Sequence, residues 1–233
     1  MLKIEKLTKC FGDKRAVDDL SLHIARGEIF GFIGHNGAGK TTTLKCIAGI
    51  LPIETGDVKV AGLSMRNDPL ACKRIMAYIP DDPQLYSYMR GRQYLDFIAD
   101  IYHLSKRERD ERIDRYAEAF GLKDDLSEYI ATYSHGMKQK LAIIGAWIHE
   151  PQLILMDEPF VGLDPKAAHT LKQMMAEFCG RGGAIFFSTH VLETAEKLCD
   201  KVAILKEGKL LVAGPIEEVK GDESLEDVFL ELV

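Results

Sequence analysis

The sequence predicts an α/β fold in which a mainly parallel sheet is flanked by helices, with an antiparallel β part at the N-terminal end and an inserted α-helical part. Three observations predict it. A glycine-rich turn, Gly34-His35-Asn36-Gly37-Ala38-Gly39-Lys40-Thr41, joins an apolar run to a helix-compatible one. Strand-like and helix-like runs alternate from residue 153 onward. Between these regions, residues 85 to 133 are aromatic, heavily charged and helix-periodic.

Taken in order, residues 2–7 and 16–24 read as strands, the second with the polar alternation of an antiparallel partner. Residues 28–33 form a continuous apolar run, as a strand buried on both faces requires, and residues 42–49 follow as a helix. Residues 58–62 and 76–79 add two more strands. In the next stretch Tyr94, Phe97, Ile98, Ile101 and Tyr102 recur at helical spacing and predict one apolar helix face. Ser105 with Glu108 three residues later is a capping box, and Ile113, Tyr116, Ala117 and Phe120 predict a second face closed by Gly121. Residues 138–148 suit a helix. Strand 153–156, helix 166–179, strand 184–188, helix 191–199, strands 202–205 and 209–212, and helix 225–230 complete the chain. The expected organisation is one domain, with an α/β core from residues 1–84 and 151–233 and a helical subdomain from residues 85–150.

Composition removes several function classes. The 233 residues carry 30 Lys and Arg against 36 Asp and Glu, a formal charge of −6 with no long basic block, so nucleic acid is not the expected partner. Five scattered cysteines with no C-x-x-C pair argue against a disulfide framework or a zinc site and for a reducing, cytoplasmic setting. Residues 141–148 are the longest uncharged apolar stretch, too short to cross a bilayer, and no leader is expected ahead of them.

The residues from Gly34 to Thr41 match G-x-x-x-x-G-K-S/T, a phosphate loop. Its glycines let backbone N–H groups approach a phosphate at the start of a helix. Lys40 brings a point charge to the β- and γ-oxygens, and the Thr41 hydroxyl can ligate Mg²⁺. The expected cofactors are therefore a nucleoside triphosphate and Mg²⁺, with Thr42 continuing the loop into the helix. A second string, Leu153-Ile154-Leu155-Met156-Asp157-Glu158, is a buried strand ending in two acids. Sheets of this class present ligand-binding groups at the carboxyl ends of their strands, so Asp157 can hold Mg²⁺ and Glu158 can act as general base on water. As residues alone, Ser134 is also an ordinary N-cap, His190 a helix cap, and Phe11 a core aromatic.

With these motifs in place, the chain resembles the ATP-binding subunits of ABC transporters from end to end. Tyr133-Ser134-His135-Gly136-Met137 stands where that family has its LSGGQ signature, Asp157-Glu158-Pro159 with Gly162-Leu163-Asp164-Pro165 is similar to its Walker B and D-loop, and Ser188-Thr189-His190 to its switch histidine. Phe11, 29 residues before Lys40, matches the aromatic that stacks on adenine. The resemblance implies a P-loop NTPase core that dimerises face to face. One protomer's phosphate loop and the partner's Ser134 and Gly136 would share each MgATP, with Asp164 near the nucleotide. Glu158 and His190 would be catalytic. It also implies an integral membrane permease as partner, a peripheral place on the inner face of the cell membrane, and pairing as a homodimer or with a related ATPase.

Two departures stand out. Where the family has a glutamine that touches Mg²⁺, this chain has Asp81, with Gln84 three residues on as the substitute candidate. In the signature, His135 and Met137 replace glycine and glutamine. The ending Ser224 to Leu230, with only 43 residues after His190, resembles exporter-type subunits. A GTPase would need an N/T-K-x-D string, and Thr8-Lys9-Cys10-Phe11 lacks the acid. A chromosome-organising ATPase would separate Lys40 from Ser134 by a long coiled coil rather than by 94 residues. The alternatives to a transport ATPase are a soluble non-transport ABC-type ATPase and an ATP-binding regulatory module.

Overall fold

The computed structural model describes all 233 residues as ten strands and nine α-helices. β1 (Leu2–Phe11) and β2 (Lys14–Ile24) pair antiparallel, as do β1 and β4 (Thr55–Val60), and β5 (Leu63–Ser64) completes a four-stranded sheet of order β2-β1-β4-β5. β3 (Ile29–Ile33) belongs to a second, six-stranded sheet with β6 (Met76–Ile79), β7 (Leu153–Asp157), β8 (Ala184–Thr189), β9 (Lys201–Lys206) and β10 (Lys209–Pro215). Its order is β10-β9-β3-β8-β7-β6, all parallel except β10.

The central strands β3, β7 and β8 are apolar at every turn of the pleat because both faces are covered. Phe30 and Phe32 of β3, with Leu155 and Phe186, face the four-stranded sheet across α1 (Lys40–Ile47), whereas Ile33, Met156 and Phe187 face the helical layer. Two apolar clusters, of 25 and 36 buried residues, lie one on each side of this sheet. The helical layer comprises α3 (Gly91–Ile101), α4 (Lys106–Ala119), α5 (His135–Trp147), α6 (Pro165–Gly180), α7 (Leu192–Leu198), α8 (Ile216–Lys220) and α9 (Leu225–Leu232); α2 (Pro69–Arg74) precedes β6. No helix is long and apolar enough to cross a membrane.

The capping box at α4 forms as expected: Glu108 N–H donates to Ser105 Oγ at 3.3 Å, and Ser105 N–H donates to Glu108 Oε2 at 3.0 Å. Ile113, Tyr116, Ala117 and Phe120 are buried and Gly121 ends the helix at φ +62°. The apolar face expected on α3 is corrected. The buried stripe is Gly91, Leu95 and Ala99, while Phe97 and Ile101 are exposed and Tyr94 half-buried. Gly91 and Ala99, on either side of the fully buried Leu95, let this helix sit close to its neighbours, while Tyr94 and Ile98 pack partly buried along the edge of the same core. The strand expected at residues 58–62 also breaks, because Ala61 and Gly62, with φ of +49° and +87°, make the two-residue turn between β4 and β5.

Candidate functional site

The phosphate loop runs from the end of β3 into α1. At Gly39 φ is +107°, and a Cβ there would lie 2.2 Å from the Ala16 carbonyl oxygen of β2. Only glycine fits, so the four-stranded sheet braces the loop from outside. Lys40 is 6% exposed, and its Nζ donates to the carbonyls of Gly34 at 2.5 Å and His35 at 3.2 Å. Burial draws its pKa down from the ordinary lysine value, and the nearby charges of Glu158 and Asp157 pull against that. An anion at the start of α1 would meet this ammonium together with first-turn N–H groups.

Asp157 ends β7, 2% exposed, and opposite it in register lies Ser188 of β8, whose hydroxyl donates to Asp157 Oδ1. The same residue clamps the next peptide: Glu158 N–H donates to both Ser188 O and Ser188 Oγ at 3.2 Å. Glu158 takes φ +47°, a left-handed conformation that costs a side-chain-bearing residue about 1–3 kcal/mol. That cost is carried at the residue beside the phosphate loop. His190, just after β8, places Nδ1 2.8 Å from Glu158 Oε1. An ionised carboxylate only accepts, so Nδ1 carries the proton and Nε2 is left free for another partner.

A cleft of about 300 Å³ gathers Phe11, Asn36, Gly37, Gly39, Lys40, Thr41, Thr42, Asp81, Asp157 and Glu158. Lys14 and Ala16 of β2 also line it. Phe11 is 51% exposed, which excludes the core role, and Lys9 Nζ sits 5.3 Å from its ring centroid, held by Glu54 at 2.6 Å. Thr41, Asp81, Asp157 and Glu158 line this cleft with oxygen atoms, the ligand type that Mg²⁺ takes, but their carboxylates do not draw together as a preformed metal-holding cluster. Of the two candidates in the departing segment, Asp81 faces this cleft, whereas Gln84 donates to Asp82 at 2.7 Å and lines a different groove.

Other predicted residues lie elsewhere. Gly34 and Ala38 are buried beneath the loop, and the exposed His35 turns its ring onto Phe229. Ser134, Gly136 and Asp164 are outside the cleft. Ser134 Oγ caps α5 by accepting from Met137 N–H at 3.2 Å, so the capping reading holds. Asp164 caps α6 by accepting from Ala167 N–H at 2.8 Å and pairs with Lys140 of α5 at 2.7 Å, which holds its carboxyl below the usual range. A Cβ on Gly136 would lie 2.5 Å from the Gly162 carbonyl oxygen, so the start of α5 rests on the turn before Asp164. Sequence reasoning missed Ser188 as the partner of Asp157, although it stands two residues before His190, and it missed the Lys9–Glu54 pair entirely.

The chain matches the ABC transporter family model over residues 17–161. It belongs to that family. It is 38% identical over 220 residues, 94% of its length, to the uncharacterized ABC transporter ATP-binding protein YhaQ of Bacillus subtilis, of which 73% is covered. A solved ATP-binding subunit of an ABC transporter superposes with a TM-score of 0.95 at 35% identity, covering 100% of this chain and 99% of that one. CbiO1 of Clostridium perfringens, described as part of the ABC transporter complex cbiONQ, superposes with a TM-score of 0.80 at 28% identity, covering 99% of this chain and 95% of that one. The chain is accordingly an ATP-binding subunit with ATPase activity.

A second, larger groove of about 410 Å³ lies between the edge strand β6 and helices α3 and α5, lined by Ile50, Tyr78, Leu85, Tyr94, Ile98 and Tyr102 among others. At its floor the His149 ring stacks on Tyr102 with centroids 3.7 Å apart, and burial pushes its pKa down to about 4 from 6.5. The folded state therefore prefers neutral His149, and its contribution is present above pH 6.5 and lost as pH falls towards 4. Denaturant unfolding at about pH 5 is expected to give a stability about 2 kcal/mol lower than at about pH 7.5 from this group. In His149→Phe, which keeps the stack, that acid-labile part should vanish; an unchanged pH dependence would exclude His149 as its source.

Proposed function

We propose that this ATPase hydrolyses MgATP at two sites shared across a face-to-face dimer and drives a separate integral membrane permease, in the export direction. The observation that carries the reading is the single cleft in which Phe11, the phosphate loop, Asp157 and Glu158 converge, with His190 bonded to Glu158. In this account Phe11 stacks on adenine, and Lys40 exchanges its carbonyl partners for phosphate oxygens. Loop N–H groups from Asn36 to Thr42 hold the β-phosphate. Thr41, Asp157 and Asp81 would hold Mg²⁺, whose charge would offset that of the phosphates. Glu158 takes the proton of the attacking water as the bond from the γ-phosphorus to the ADP oxygen breaks, and His190 Nε2 faces the γ-phosphate.

The partner's Ser134 and Gly136 complete each site in this reading, either in a homodimer or with a related ATPase. Division into a core of residues 1–84 and 151–233 and a helical subdomain of residues 85–150 then gives two parts that can shift when ATP closes the dimer. The groove beside β6 would receive the permease, which would hold the ATPase at the inner face of the membrane. Tyr88 is 71% and Tyr86 45% exposed, and Tyr86 packs against both Tyr88 and Phe97 with centroids 5.8 and 5.9 Å apart. A patch of exposed aromatics beside an apolar groove suits a buried partner contact. The export direction rests on the resemblance of the ending Ser224 to Leu230 alone.

The test is membrane association. Tyr88→Asp places a charge on the patch and should abolish co-fractionation with membranes and co-purification of the permease, while the solubilised protein keeps its basal ATPase activity and melting temperature. Retained association, or wild-type protein that never associates with membranes, would contradict the permease reading and favour a soluble ATPase.

A further inference from the structure

The C-terminal helix α9 packs on α7, the helix after His190, and meets the phosphate loop at His35. Leu225 and Phe229, 0% and 7% exposed, belong to the same apolar cluster as Ile33 at the mouth of the phosphate loop and Ala195 of α7, the helix that follows His190. Leu225 N–H donates to Glu196 Oε2 of α7 at 3.3 Å, and Lys220 Nζ reaches Glu196 Oε1 at 3.6 Å, so one carboxylate fixes the segment that enters α9. Ser224 caps the helix by accepting from Asp227 N–H at 3.1 Å. From this anchored helix the Phe229 ring meets His35 of the phosphate loop edge-on, centroids 4.9 Å apart at 69°.

His35 matters through its backbone. Its carbonyl accepts from Ala38 N–H at 3.1 Å and from Lys40 Nζ at 3.2 Å. It therefore closes the first turn of the loop and also holds the ammonium that a phosphate must capture. The phosphate-loop pattern leaves this position free, so the aromatic pair is a choice of this chain rather than a demand of the motif.

We infer that Phe229 is a positioning residue for ATP binding: by fixing the His35 ring, the C-terminal helix sets the shape of the phosphate loop and the readiness of Lys40 to leave its carbonyls. The inference rests on ATP binding at this loop. Wild-type protein that failed to bind ATP would remove that reading, whereas the following cycle judges the coupling itself.

The experiment is a double-mutant cycle in the full chain, with His35→Ala, Phe229→Leu and the pair, read by ATP titration calorimetry and by KM and kcat for hydrolysis. Phe229→Leu keeps a buried apolar side chain and removes the ring. Each single variant is expected to raise Kd and KM for ATP about 3- to 10-fold, the size of one aromatic pair, and more than it lowers kcat. The double variant should be no worse than the worse single one, and Phe229→Tyr should restore binding. Multiplying effects in the double variant would overturn the inference. So would an unchanged Kd in His35→Ala, an exposed residue whose truncation leaves the fold standing and which decides the matter even if Phe229→Leu is unstable.

Discussion

Glu158→Gln binds ATP and turns it over at roughly one-hundredth of the wild-type rate or less. The expectation follows from how the residue is held. Its N–H is fixed by two bonds to Ser188, its backbone is strained at φ +47°, and His190 Nδ1 lies 2.8 Å from its carboxylate. Glutamine fits the same space and its amide oxygen still accepts from His190, so the geometry survives and only basicity is lost. The neighbouring Asp157 keeps its bond to the Ser188 hydroxyl, which leaves the charge expected to face Mg²⁺ in place. Phosphate release at saturating ATP measures the effect, with nucleotide titration as the control. A rate within about threefold of wild type would remove Glu158 as the base.

Much of the site was legible because its chemistry is written in short strings. The phosphate loop needs eight consecutive residues, and the acids at the end of β7 follow directly from an apolar run, so neither depends on distant contacts. Spacing could not decide between Asp81 and Gln84, since three residues of loop reverse the direction of a side chain; only the folded loop turns Asp81 to the cleft and Gln84 away. The pairing of His35 with Phe229 and of Lys9 with Glu54 brings together residues far apart in the chain, and no local pattern encodes such contacts. On α3 the periodicity correctly announced a helix but not which side packs. Amphipathicity locates large apolar side chains, and here the buried stripe is centred on Leu95 and completed by Gly91 and Ala99, which carry almost none.

The geometry also explains why one protomer is insufficient in this account. Ser134 and Gly136 lie outside the cleft that holds Lys40, engaged in capping α5 and packing on the turn before Asp164. A chain whose phosphate loop and signature lie apart can bring the two onto one nucleotide only by meeting a second copy about a two-fold axis. The direct measurement is complementation. Lys40→Ala removes the phosphate ligand, Ser134→Arg fills the signature, and each homodimer should be nearly inactive. Mixed in equal amounts, half of the dimers are hybrids with one site carrying both defects and one carrying neither, so ATPase activity should return to about a quarter of wild type. A mixture as inactive as its components, or a Ser134→Arg protein with full activity independent of concentration, would contradict shared sites.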